Sequence, residues 1–340
     1  MLRCLPILLI LPLVFSGMSG CAQRRSTLLT AQLPAQAGKQ SLQRPDSLIQ
    51  QVAANLQTGE TIFAPPQRTG GTKQPSTTPS ALRQAWENEY KPLTNRNWIP
   101  NHARQATAER SGDSITVHNI RNTNYRTVTD YTASYFDADY PLAGLKSVDL
   151  IEVPFKGLPS VAHVEISFGF DDGRHLGVSV EARYEVGESY DPLGGFCNQF
   201  ELIYVIADER DTIRINTDIN QNDVYLYRLN LTQQEIQAMF LDIMNRANTL
   251  STQPEFYHTI TNNCTSNIID HVNKAKPNAI PREYRTLFPG YLDQLLYDVN
   301  LLVTEAPTFK EARSLAKINF LAGQYGDTEY FSAGIRQNLY

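Results

Sequence analysis

Apolar and polar residues alternate with period two through residues 163–170 and 175–184, and Asp171-Asp172-Gly173 between them marks a turn. On the first run Ala162, Val164, Ile166, Phe168 and Phe170 share one face, and His163, Glu165 and Ser167 the other. On the second, Leu176, Val178, Val180 and Ala182 oppose His175, Ser179, Glu181 and Arg183. Setting polar against polar in a hairpin requires facing residues of equal parity, so the loop must have odd length. A three-residue loop with Gly173 in the left-handed position pairs Phe170 with Arg174, Glu165 with Ser179 and His163 with Glu181. Further runs rich in Val, Ile, Tyr and Phe predict strands at 114–120, 148–155, 201–207 and 224–229. A helical period then takes over: Thr232 and Glu235 form a capping box ahead of an apolar stripe of Ile236, Met239, Phe240, Ile243 and Met244. Other helices are expected at 264–274, 291–300 and 310–318. Strands first and helices later predict an α+β domain with an antiparallel sheet packed by helices.

The start of the chain has a different character. Residues 1–20 carry Arg3, an apolar run over 5–15 and the small residues Ser16, Gly17, Ser19 and Gly20, the three parts of an export signal. The apolar run is too short to span a bilayer. Met18-Ser19-Gly20-Cys21 resembles a lipobox, which predicts cleavage before Cys21 and a diacylglyceryl group on its thiol. Two acyl chains suffice for stable anchoring. Ala22, in place of Asp, points to the outer membrane, with the protein facing the periplasm. Residues 21–80, rich in Gln, Ser, Thr, Pro and Gly, read as a flexible tether, followed by a domain over 81–320 and a tail over 321–340.

Charge narrows the function classes. The net charge of -5 and the absence of Lys/Arg runs leave no basic footprint, so nucleic acid is not an expected partner. No paired His or Cys spacing and no Gly-rich phosphate loop occur, so neither a metal nor a cofactor is expected. Asp208-Glu209-Arg210-Asp211 reads as a solvated charged turn.

Nucleophilic chemistry has a candidate in Asn262-Asn263-Cys264. Either asparagine can cap a helix that places Cys264 in its first turn, where the helix dipole and free amides favour the thiolate and could hold an oxyanion. His271 is seven residues along the same helix, roughly 10 Å away at 1.5 Å per residue, too far to serve as base. His163, mid-strand on a polar face with Glu181 opposite, is the expected partner, and Glu181 the residue expected to orient it. Glu165, Asn263 and Tyr257 are candidate cleft residues. The competing expectation is a non-catalytic binding or scaffolding lipoprotein in which Cys197 and Cys264 form a disulfide.

The run His163-Val164-Glu165-Ile166-Ser167-Phe168-Gly169-Phe170 is followed by Ser179-Val180-Glu181-Ala182-Arg183 and Tyr204-Val205-Ile206-Ala207-Asp208-Glu209-Arg210-Asp211. Val224-Tyr225-Leu226-Tyr227, Pro254-Glu255-Phe256-Tyr257, Asn262-Asn263-Cys264-Thr265 and Phe288-Pro289-Gly290-Tyr291 come after them. As an ordered set over about 119–302 these resemble the Lnb-type N-terminal periplasmic domain. The resemblance implies a permuted papain-like (NlpC-related) thiol fold, with the histidine before the cysteine, and a Cys-His pair performing acyl transfer. That role carries over to Cys264 and His163. The substrates it implies are lipoprotein or phospholipid acyl chains, with a peptide bond of peptidoglycan, cut by a cell-wall peptidase or amidase, as the alternative.

Overall fold

The computed structural model describes residues 91–339. The expected signal peptide, Cys21, the tether and the start of the domain at residue 81 lie outside the described residues. Among the described residues there are ten strands: β1 (Thr107–Ser111), β2 (Ser114–Arg121), β3 (Asn124–Tyr125), β4 (Tyr131–Thr132), β5 (Tyr135–Pro141), β6 (Leu145–Phe155), β7 (Leu158–Phe170), β8 (His175–Arg183), β9 (Glu201–Asp208) and β10 (Tyr225–Arg228). The helices are α1 (Pro192–Phe196), α2 (Glu209–Arg214), α3 (Gln233–Thr252), α4 (Cys264–Ala275), α5 (Leu292–Asp298), α6 (Phe309–Ala316), α7 (Asn319–Tyr325) and α8 (Phe331–Gly334).

The main sheet runs β1-β2-β9-β8-β7-β6-β10, with β5 also on β2. Its pairs are antiparallel except for one parallel contact between β2 and β9 at Arg121 and Ala207. The architecture is therefore the expected α+β arrangement of an antiparallel sheet covered by helices. The β7–β8 hairpin takes the register that parity demands, from Glu165 opposite Ser179 to Gly169 opposite His175. Its loop closes through the Phe170 amide on the Arg174 carbonyl at 3.0 Å, with Gly173 at φ 85°, a conformation that glycine adopts without strain. Beyond Glu165 and Ser179 the ladder stops, and β7 continues only against β6 and β8 only against β9.

One face of the sheet presents Val164, Ile166, Phe168, Val178, Val180, Leu202 and Ile206 to α3 and α4, whose Ile236, Phe240, Ile243, Ile268 and Val272 complete a single core. Phe168 and Phe240 meet edge to face at 5.1 Å. The Thr232 capping box forms as expected and starts α3.

The other face belongs partly to the end of the chain. Ile151, Val153, Ile213 and Leu226 pack with Ile318, Leu321, Phe331 and Ile335. Residues 321–339, read in sequence as a tail, thus carry core side chains. Only a few scattered apolar positions among Gly, Asp and Gln hid this from a period search. The Asp208–Asp211 stretch differs from expectation in the same way, since Glu209 and Asp211 are buried. Arg336 accounts for Glu209: its Nη1 lies 2.9 Å from Glu209 Oε2 and its Nε 2.9 Å from Asp149 Oδ2. Burial pushes the Glu209 carboxyl up, but Arg336 outweighs it and brings the group down to about 2.

Arg336→Ala should therefore cost about 3 to 5 kcal/mol, because it strands the buried Glu209 carboxylate and leaves Asp149 with Arg228 as its remaining guanidinium. The contribution from Glu209 is present above the unfolded carboxyl value and is lost only as pH falls toward about 2. Urea denaturation at pH 7 measures the loss, and a change below about 1 kcal/mol would refute the account.

Candidate active site

The site forms where α4 begins against β7. Asn263 has an extended backbone, and its side-chain oxygen accepts the Ser266 amide at 2.9 Å while Ser266 Oγ accepts the Asn263 amide at 3.0 Å. The Asn263 side chain also donates to the Thr259 carbonyl at 2.6 Å, so this residue shapes the turn rather than lining a cleft. Cys264 is the first helical residue. The amides of Cys264 and Thr265 meet no acceptor among the described residues, as the first turn of a helix leaves them. The Cys264 thiol is 8% exposed and free. A Cys197–Cys264 disulfide is therefore excluded, and the scaffold reading loses the bond that defined it.

His163 stands opposite Val153 on β6, in the stretch of β7 that β8 no longer covers. Its side chain retains 23% exposure, so one edge reaches solvent. The turn Pro289–Tyr291 presses on the start of this strand, where a Cβ on Gly290 would lie 1.9 Å from the Pro159 carbonyl. Only glycine permits that approach. The Cys264 thiol lies close enough to His163 and to the Val164 amide for both to act on its ionisation.

Burial alone would raise the thiol, but the His163 charge and hydrogen bond, helped by Val164 and Thr265, bring it below its ordinary value. Burial likewise works to lower His163, yet Cys264 and then Glu165 hold it well above the usual imidazole range. Both directions favour the thiolate–imidazolium form of the pair over the neutral form.

The carboxylate beside His163 is not the expected one. His163 Nε2 lies 2.8 Å from Ser179 Oγ and 3.3 Å from Glu165 Oε1. Glu181 instead meets His102 Nε2 at 3.0 Å and lies 3.9 Å from Arg121 Nη2. The reason is local: with the ladder ended, facing positions separate, and a buried guanidinium and imidazole compete for the carboxylate. Burial pushes Glu181 up, but Arg121 and His102 bring it well below the ordinary carboxylate range. Neither Ser179 nor His102 was singled out from sequence. The alternation placed Ser179 on the right face, whereas His102 comes from a short turn with no pattern of its own.

Glu165 is 2% exposed, and its Oε2 has no hydrogen-bond partner among the described residues. Glu165→Gln should lower turnover about 10- to 100-fold and move the alkaline limb of the pH profile to lower pH, since Glu165 raises His163. Glu181→Gln should leave that limb in place. A reversed pattern in pH-rate profiles would return the orienting role to Glu181.

Tyr257 is 8% exposed and packs on Tyr190 with ring centres 6.2 Å apart. Burial and then the neighbouring Cys264 charge raise its phenol, which keeps it protonated beside the thiol. The end of the sheet where β7 begins, β8 ends and β9 begins also exposes Leu158, Tyr190, Leu193 and Ile260.

No helix among the described residues is long and apolar enough to cross a membrane. Neither a curated protein nor a solved structure matches this chain. A family model does match over residues 131–290, a span that contains His163, Glu165, Ser179 and Cys264, and this chain thus carries an Lnb N-terminal periplasmic domain.

Proposed function

We propose that the domain is a cysteine-dependent acyl-transfer enzyme of a periplasmic lipoprotein held on the outer membrane through lipid on Cys21. The Cys264 thiolate attacks an ester or amide carbonyl, and the oxyanion is received by the Cys264 and Thr265 amides at the start of α4. His163 gives its proton to the departing alcohol or amine, leaving a thioester. It then takes a proton from the incoming amine or water as that nucleophile expels the thiolate. Glu165 and Ser179 hold the imidazole in place. The observation that carries this reading is the free, lowered Cys264 thiol paired with a raised His163 across a long sequence gap. A histidine on the sheet that precedes the cysteine on the helix also suits a permuted papain-like order.

The exposed aliphatic and aromatic side chains at this end of the sheet favour an acyl-bearing substrate, such as a lipoprotein or phospholipid, over a cell-wall peptide. The test compares cells carrying the natural gene with cells carrying Cys264→Ala. Mass spectrometry of lipoprotein N-termini should show a changed acyl pattern in the variant, with muropeptides unchanged. Altered muropeptides alone would make the domain a peptidase, and no change in either would remove the enzymatic reading.

A further inference from the structure

A buried chain of polar groups leads from α3 to the cysteine turn, and none of it touches the thiol. Asp242 Oδ2 lies 2.6 Å from His271 Nδ1, and His271 Nε2 lies 2.8 Å from the Tyr204 hydroxyl. That hydroxyl donates to Asn267 Oδ1 at 2.9 Å. Asn267 Nδ2 in turn donates to Asn262 Oδ1 and to the Asn263 carbonyl, each at 2.9 Å. Asn262 closes the path by donating to the Phe256 carbonyl at 2.9 Å. His271, Asn267 and Tyr204 are all buried.

The direction of the bonds nearest the turn is fixed. Asn267 spends its NH2 group on two oxygens, so its own oxygen must accept from Tyr204. The His271 ring lies between the Tyr204 hydroxyl and the Asp242 carboxylate, with one nitrogen toward each. Burial, first of all, raises the Tyr204 phenol and keeps its proton on it. The His271 hydrogen bond leads in holding the Asp242 carboxyl below its ordinary value.

We infer that Asp242, His271, Tyr204 and Asn267 are positioning residues that set the Cys264 turn against the sheet bearing His163. The inference rests on the acyl-transfer reading but concerns placement of the thiol. Tyr204 is on β9, which pairs with β8, which pairs with β7, so the chain ties the start of α4 to the same sheet that carries the imidazole. A one-ångström error in that placement weakens both the thiolate–imidazolium pair and attack on substrate.

The test reads thiol alkylation by iodoacetamide across pH, which needs no substrate, together with turnover. Tyr204→Phe and Asp242→Asn should each move the alkylation midpoint upward by about half a pH unit or more, because the thiol loses part of its partner. Turnover should fall about 10- to 100-fold. Val272→Ala, a core truncation on the same helix outside the chain, should lower the melting temperature and leave the midpoint alone. Asp242 is 31% exposed, so its variant keeps the test open if Tyr204→Phe does not fold. Melting temperatures lowered with unmoved midpoints in the folded variants would make the chain a structural strut and overturn the inference. If the midpoints move but no acyl substrate is ever turned over, the placement stands and only the enzymatic reading fails.

Discussion

Alanine at position 264 is expected to lower kcat/KM by about 100,000-fold while the domain still folds. The substitution removes the sulfur that forms the proposed covalent intermediate. The Thr265 hydroxyl lies 3.7 Å from the sulfur, but an alcohol cannot replace an anion held by His163. For the same reason Cys264→Ser should recover almost nothing. The structural cost is small, about 1 kcal/mol, because the loss is one sulfur at the mouth of a helix whose Asn263 cap is untouched. Circular dichroism and a melting curve establish the fold, and initial rates on an acyl ester establish the loss. More than a tenth of the activity surviving in a folded alanine variant would end the nucleophile assignment.

His163→Ala should lower turnover by about 10,000-fold and, in the same protein, shift the pH curve of Cys264 alkylation upward. In the natural protein the imidazolium overcomes the burial that otherwise raises the thiol. Without it burial prevails, and the midpoint should move to or above the ordinary thiol value of about 8.5. Stability follows with opposite signs for the two partners. The raised His163 contributes fully below about 6.5 and loses its share as pH climbs through the folded value. The lowered Cys264 contributes above about 8.5 and loses its share as pH falls through the folded value. An alkylation curve unmoved by His163→Ala would mean that another group activates the thiol.

How far sequence led depended on the range of the interaction. The β7–β8 register followed from parity, because a one-residue slip would have turned Phe168 and Val178 to the polar face. The start of α4 followed from an asparagine ahead of an apolar helical stripe, a signal contained within a few residues. Glu181 shows where such reasoning ends. Its strand was sound, but the β7–β8 ladder ends before the expected pairing with His163, and its partner His102 is 79 residues away. Likewise Glu209 looked solvated because the arginine that buries it comes 127 residues later. Edge strand β5 escaped detection because most of its side chains are exposed or half-buried, which leaves no alternation to read.

The Arg336 clasp has a further consequence for the order in which the protein assembles. A chain that emerges from its N-terminus first delivers Glu209, His163 and Cys264 well before the guanidinium that pairs with Glu209, whereas Asp149 has Arg228 beside it as well. Until position 336 arrives, closing that side of the sheet would confine the Glu209 carboxylate without its guanidinium, which disfavours closure there. That side of the sheet consequently closes only after the strand bearing His163 and the helix bearing Cys264 have been made.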